Sequence, residues 1–195
     1  MAEIVIKSYD DLPPPDRSEI LRYCRAASED AELSALIDEC IEEVGGVLRP
    51  RVVSKEYLIC REETVYDLGF VSLFSRDLDR ALLSCNYLIL FVASVGVGAD
   101  RLISKYARVS PARALVIDAV CTERVEALCN AFEAEVTSGV FSRPRYSPGY
   151  GDVPLDVQKN IFRALSPEKH IGVTLNESML MSPTKSVSAF IGIRR

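Results

Sequence analysis

Helical and strand-like segments are interspersed along this sequence, which predicts a mixed fold, α/β or α+β. Three observations carry that expectation. Apolar residues at spacings of three and four mark residues 33–44 and 119–137 as helices. Short apolar runs between turn residues, above all Tyr87–Val95, read as strands. The 195 residues are 48% hydrophobic and 26% charged, close to globular averages and sufficient to bury a sizeable core. That length predicts a single domain over 1–195, with residues 1–15 as a lead-in.

The lead-in consists of a short strand, Glu3–Lys7, and the stiff run Pro13-Pro14-Pro15. Asp16 is placed to cap a helix that starts near Arg17. In the next helix Leu33, Leu36, Ile37, Cys40, Ile41 and Val44 form the apolar stripe, with Glu32, Asp38, Glu39, Glu42 and Glu43 opposite. Gly45-Gly46 is expected to stop it. Val52–Cys60 begins with β-branched residues and predicts a strand, Phe70–Leu73 a shorter one, and Asp77–Leu83 a helix. No charged residue occurs from Ala81 to Ala99, a stretch of near membrane-spanning length. Ser84, Asn86, Ser94, Gly96 and Gly98 interrupt it, so it reads as a helix end, the buried strand Tyr87–Val95 and a glycine turn. A helix over Ala99–Val109, a strand over Ala112–Ile117 and the helix 119–137 follow. Val125, Leu128, Phe132 and Val136 share one face of that last helix, and Gly139 lies just beyond it. Residues 140–153 predict an ordered loop. Pro154 is placed to open a helix through Leu165, and Ile171–Leu175 and Val187–Ile193 are the final strands.

Composition narrows the function classes. Lys and Arg number 23 against 28 Asp and Glu, and the net charge of −5 weighs against nonspecific nucleic-acid binding. The single histidine, His170, excludes a site built on several histidines. Cysteines 24, 40, 60, 85, 121 and 129 include no CxxC spacing, so no zinc or iron–sulfur framework is expected and they read as buried free thiols. Met1–Asp10 carries Glu3 and Lys7 and no apolar run of signal-peptide length, which points to a cytoplasmic protein without a membrane segment.

Candidate sites are few. The passage Val92–Arg101 runs strand, glycine turn, helix, and could cradle phosphate. It lacks the third glycine of a dinucleotide fingerprint and the Gly-Lys-Ser/Thr of a P-loop, so a tight turn is the favoured reading. Asp118 stands either at the carboxyl end of a strand or, preferably, as the N-cap of the helix behind it. His170, at the expected start of a strand, reads as a surface or capping residue rather than a general base. The richest segment is Arg143–Pro154, with two arginines and two tyrosines on a backbone shaped by prolines and glycines. Arginine offers a planar fork to a carboxylate, and tyrosine an aromatic face to a cation such as a sulfonium. Its alternative role is to cover a sheet edge. A second unusual stretch, Thr174–Ser188, carries Glu177, Met179 and Met181 between two strands, or is an ordinary hairpin connection.

Together these segments resemble the S-adenosylmethionine-binding activation domain of cobalamin-dependent methionine synthase. The family's Arg-x-x-x-Gly-Tyr loop and proline-opened helix correspond to Arg145, Gly149, Tyr150 and Pro154. Its later stretches correspond to Gly172, Leu175-Asn176-Glu177-Ser178, Met181-Ser182-Pro183 and Ser186-Val187-Ser188. Glu19–Tyr23 looks like the opening helix of free-standing relatives, and Phe91–Asp118 like their strand, turn, helix and strand.

The resemblance implies an α+β fold: a central, largely antiparallel twisted sheet flanked by helices, with the ligand in a shallow groove. It implies S-adenosylmethionine contacts from Arg145, Ser147 through its backbone, Gly149 and Tyr150. Asn130 stands where the family has an acidic residue, with Glu126 and Glu133 nearby. The family's late aromatic is not clearly kept, Phe190 being followed by Ile191 and Gly192, and its ligand-contacting N-terminal aspartate has no motif match. The implied role is accessory. The domain positions a methyl donor for reductive methylation of cob(II)alamin on a partner methionine synthase or corrinoid protein, with a flavodoxin-like electron donor. The chain lacks the Asp-x-His-x-x-Gly motif, since His170 has Glu168 before it and Val173 after it, so cobalamin is expected from the partner. The alternatives are a non-catalytic corrinoid-protein binding module that has lost S-adenosylmethionine, and a nucleotide-binding protein using Gly96–Gly98.

Overall fold

The structure, a computed structural model, describes residues 3–62 and 65–195; Met1 and Ala2 of the lead-in lie outside the described residues. The chain runs β1 (Val5–Ser8), α1 (Arg17–Cys24), α2 (Ala31–Val47), β2 (Arg51–Leu58), β3 (Cys60–Glu62), β4 (Val65–Asp67), β5 (Ser72–Phe74), α3 (Arg76–Ala81) and β6 (Tyr87–Ser94). It continues with α4 (Gly98–Tyr106), α5 (Pro111–Val136), β7 (Phe141–Ser142), α6 (Val157–Leu165), α7 (Pro167–His170), β8 (Thr174–Leu175), β9 (Met181–Ser182) and β10 (Ser186–Arg194). Five strands form the main sheet in the order β1-β2-β6-β10-β7, and every neighbouring pair is antiparallel. The fold is therefore α+β, an antiparallel sheet flanked by helices.

Alternation along the central strands builds the core. Ile89, Phe91 and Ala93 of β6 face one side with Ala189, Ile191 and Ile193 of β10, and Leu88, Leu90 and Val92 face the other with Phe190. Both sides are covered, so β6 is apolar on both. That accounts for the uncharged window 81–99; no helix among the described residues is long and apolar enough to cross a membrane. Helices α1, α2, α4 and α5 occupy the first side, where the rings of Phe91 and Phe132 lie 4.9 Å apart and tilted. Such a pair adds about 0.5–1.5 kcal/mol beyond its buried area. On the second side α3 and α6 pack through Leu78, Val157, Ile161 and Leu165.

The largest departure from the sequence reading is α5. It is one helix of 26 residues opened by Pro111, and it absorbs Ala112–Ile117, which had the look of a strand. It packs on β6 and β10 and also on α1, α2 and α4, so Ala114, Val116, Ile117, Ala119 and Val120 are all buried. A helix covered on most sides loses its amphipathic period, and a short apolar run in it then looks like a strand.

Smaller corrections have local causes. Helix α2 continues through Gly45 and Gly46 to Val47, since neither glycine takes a positive φ. The expected strand Val52–Cys60 divides where the Ile59 N–H donates to Asn86 O (3.0 Å). Gly69, at φ +75°, turns the chain and moves the next strand from Phe70–Leu73 to β5. Pro154 opens a turn, its carbonyl accepting from the Val157 N–H (3.2 Å), and α6 begins at Val157. Of Ile171–Leu175 only Thr174 and Leu175 pair as a strand. The cysteines are free, but only Cys40, Cys121 and Cys129 are buried; Cys24 and Cys85 are half-buried and Cys60 is exposed. Burial pushes the Cys121 and Cys129 thiols up to about 12, far from reactive thiolates.

Candidate functional site

Arg145 lies on an extended segment that continues the sheet beyond β7. Tyr146 exchanges both backbone hydrogen bonds with Phe190 (2.9 and 3.0 Å), and the Arg143 N–H donates to Gly192 O (2.9 Å). The loop thus covers the β10 edge, as its alternative reading held. Consecutive side chains of an extended segment point to opposite faces. Tyr146 packs on the second side, its ring 5.8 Å from that of Phe190, and Arg145 reaches α5 on the first.

On α5, Glu126, Asn130 and Glu133 are four and three residues apart and so share one face. Arg145 Nη1 donates to Asn130 Oδ1 (2.7 Å) and Glu133 Oε2 (2.8 Å), and Nη2 donates to Glu126 Oε2 (2.7 Å). Its backbone N–H donates to Glu133 Oε1 (3.3 Å). Burial pulls the guanidinium pKa down, but the two carboxylates outweigh it and the value stands above its ordinary one. These bonds use three of the roughly five N–H donors a guanidinium offers.

Beside Arg145 opens a groove of about 510 Å³ between α5 and the N-terminal segment. Glu123, Glu126 and Asn130 line it from α5; Pro13, Pro14, Asp16, Glu19, Arg22 and Tyr23 line it from the opposite wall. That wall is fastened by a buried ion pair. Arg124 donates twice to Glu123 (2.5 and 2.7 Å) and once to Pro13 O (2.6 Å), while the Asp16 N–H donates to Glu123 Oε1 (3.2 Å). Asp16 caps α1 as expected, accepting from the Ser18 and Glu19 N–H groups at 2.9 and 3.3 Å. The Ser18 hydroxyl and these amides hold its carboxyl below the usual range. Arg22 pairs with Glu19 and lies over the Tyr23 ring, 4.3 Å from its centroid.

The remaining expected site residues lie in the adjoining loop and not in the groove lining. The Gly149 N–H donates to Val153 O (2.9 Å), and Tyr146 Oη donates to Tyr150 O (2.7 Å). Asp152 caps α3, accepting from the Ser75 hydroxyl and from the Arg76 N–H (2.7 Å). At Gly151, φ +55°, a Cβ would sit 2.0 Å from Asp77 Oδ2 and so displace the carboxylate that accepts from the Asp152 N–H (3.0 Å). The outcome is a pinned loop with Tyr150 69% exposed at its tip and Ser147 half-buried behind it.

Structure thus unites Arg145 with Asn130 and with both alternatives, Glu126 and Glu133. It leaves the other candidates apart. Asp118 is neither strand end nor N-cap; it lies inside α5, with Lys185 Nζ 2.8 Å from its carboxylate. His170 ends α7 instead of starting a strand. Gly96, at φ +90°, is the tight turn. Phe190 is buried. Asp16 was legible as a cap but not as a groove wall, because its tie to Glu123 spans 107 residues and no local pattern announces it.

The family model for the vitamin B12 dependent methionine synthase activation domain matches residues 79–194, more than half of the chain. Among solved structures, the crystal structure of the MetH reactivation domain bound to AdoHcy superposes with a TM-score of 0.71 at 16% identity. The match covers 97% of this chain and 78% of that one, and at this identity it speaks for the fold. No curated protein sequence matches the chain. The family match, reinforced by the shared fold, places the chain in the activation-domain family of vitamin B12 dependent methionine synthase.

Proposed function

We propose that this chain is a stand-alone reactivation domain that binds S-adenosylmethionine in the Arg145 groove. The observation that carries the reading is the charge of the groove. Its lining holds four carboxylates, Asp16, Glu19, Glu123 and Glu126, against two cations, Arg22 and Arg145. Such a site favours a ligand with net positive charge and one carboxylate. S-adenosylmethionine has that make-up, a sulfonium and an ammonium against one carboxylate.

The residues take distinct roles in this reading. Arg145 holds the ligand carboxylate with its remaining N–H donors, a fork locked in orientation by Glu126, Asn130 and Glu133. Asp16 and Glu126 receive the ammonium, Asp16 serving as the acidic contact from the N-terminal wall. Tyr150 offers its exposed ring to the sulfonium, and Ser147 and Gly149 present backbone groups from a loop already ordered, which lowers the entropy lost on binding. When bound, S-adenosylmethionine supplies its methyl group for reductive methylation of cob(II)alamin held by a partner methionine synthase or corrinoid protein, with one electron from a flavodoxin-like donor. This chain contributes position and orientation, which need no general acid or base.

A second reading, a corrinoid-protein binding module without S-adenosylmethionine, draws on the fact that Arg145 is already paired with two carboxylates. Titration calorimetry separates the two. Saturable heat with S-adenosylmethionine that is lost in Arg145→Ala supports the first. No heat at millimolar ligand, with a cobalamin protein still captured, establishes the second.

A further inference from the structure

A different groove, at the other end of β6, has the opposite character. Its volume is about 490 Å³, and Arg49, Arg51, Arg101 and Lys105 line it around the Gly96–Gly98 turn. No carboxylate is among its lining residues. This concentration of positive charge contrasts with the chain's net charge of −5. Little of it is compensated. Lys105 reaches Glu43 (3.0 Å). The Arg49 guanidinium donates only to the backbone carbonyls of Leu48 (2.6 Å) and Gly46 (3.5 Å), and the Arg51 guanidinium to that of Ile171 (3.1 Å). The Arg101 side chain makes no hydrogen bond or ion pair among the described residues. The one acid of the neighbouring helical turn, Asp100, is committed to Thr184 (3.1 and 3.2 Å from its N–H).

The floor of this groove is built by close approach. A Cβ at Gly98 would lie 2.4 Å from Val47 O, so only glycine lets the turn sit against the end of α2. The Arg49 N–H donates to Val95 O (2.9 Å), which fixes the arginine beside the turn. Arg49 and Arg51 also line the adjoining groove of about 760 Å³, where Leu12, Ile41 and the largely buried Tyr9 and Val44 provide aromatic and apolar surface and Asp10 is the one carboxylate, with Arg124 opposing its charge. A basic pocket thus continues into an apolar one across two shared arginines.

We infer that this pair of grooves is a second binding site, separate from the Arg145 groove, for a nucleoside polyphosphate. Three uncompensated arginines match a diphosphate or triphosphate better than a monophosphate, whose charge is about −2. The phosphates lie among Arg49, Arg51 and Arg101, with Lys105 at the rim, and the nucleoside lies along Tyr9 and Ile41. Arginine favours this role because its planar fork pairs with phosphate oxygens.

Calorimetry on the full chain at about 0.1 M salt, where screening is moderate, tests it with three probes: inorganic tripolyphosphate, ATP and adenosine. Tripolyphosphate is expected to bind, ATP more tightly, and adenosine not measurably. Arg49→Ala and Arg101→Ala each remove exposed side chains and should weaken both phosphate ligands by about tenfold, while Arg145→Ala leaves them unchanged. Absence of heat with tripolyphosphate and ATP overturns the inference. So does an equal loss in Arg145→Ala, which signals nonspecific attraction. Binding of poly-glutamate without binding of tripolyphosphate also overturns it, and makes the surface a dock for an acidic protein.

Discussion

The two grooves are close in volume, about 510 and 490 Å³, and opposite in electrostatics. In the first, each cation is met by carboxylates: Arg22 by Glu19, Arg145 by Glu126 and Glu133. In the second, three arginines have only backbone carbonyls or nothing among the described residues. A paired arginine is held rigid and discriminates by geometry; an unpaired cluster attracts anions and discriminates chiefly by charge. The contrast suits the cationic ligand proposed for the first groove and the polyanion inferred for the second. Between them the Glu123–Arg124 pair acts as a septum, Glu123 lining the acidic groove and Arg124 the apolar groove that adjoins the basic one.

The septum is where the largest effect is expected. Glu123→Ala leaves Arg124 buried without its carboxylate, Arg124 being 8% exposed, and frees the Pro13–Asp16 wall. A loss of about 3 kcal/mol in unfolding free energy is expected from urea titration. A loss below half of that would mean that the pair does not fasten the wall. Arg145→Ala ranks next. It should weaken S-adenosylmethionine by about 10–100-fold and leave tripolyphosphate untouched, which sharpens the separation of the two ends.

The smaller effects concern the loop. Tyr150→Ala should cost about two- to fivefold in S-adenosylmethionine affinity, the size of an exposed cation–π contact, with an unchanged melting temperature because the ring is exposed. Asp152→Asn should lower the melting temperature slightly without affecting either groove. The Ser75 hydroxyl and the Arg76 and Asp77 N–H groups hold the Asp152 carboxyl below its ordinary value. A carboxylate with a depressed folded-state pKa stabilises fully above its unfolded value and loses that contribution as pH falls through the folded one. The difference between wild type and variant should therefore hold from pH 8 to 5, begin to shrink at about pH 4, and disappear only as pH falls through the lower folded-state value. A difference that does not shrink as pH falls below about 4 contradicts this role.

How much of this was legible in the sequence follows from where each signal is stored. Helix α2 and strands β6 and β10 could be read because their patterns are local: an acidic face opposite Leu33–Val44, and apolar runs ended by glycine or charge. The first third of α5 could not, because its neighbours lie on nearly every side and erase the period that marks a helix. The Arg145 loop was legible as a motif, and through the family resemblance Asn130, Glu126 and Glu133 as candidate ligand contacts; that these three side chains hold Arg145 itself was not, because no local pattern joins α5 to the loop. The wall from Pro13 to Tyr23 was not, because the contacts that place it join residues more than 100 apart. Of the basic groove only the Gly96–Gly98 turn was legible, as a possible phosphate cradle; Arg49 and Arg51 join its lining only after β2 and β6 pair.

Everything proposed for the Arg145 groove depends on its holding S-adenosylmethionine. A crystal structure of the protein soaked with that ligand tests it most directly. Density is expected between α5 and the Pro13–Tyr23 wall, with the ligand carboxylate on Arg145 and the sulfonium beside Tyr150. Density elsewhere, or an unchanged Arg145 groove at saturating ligand, would contradict it.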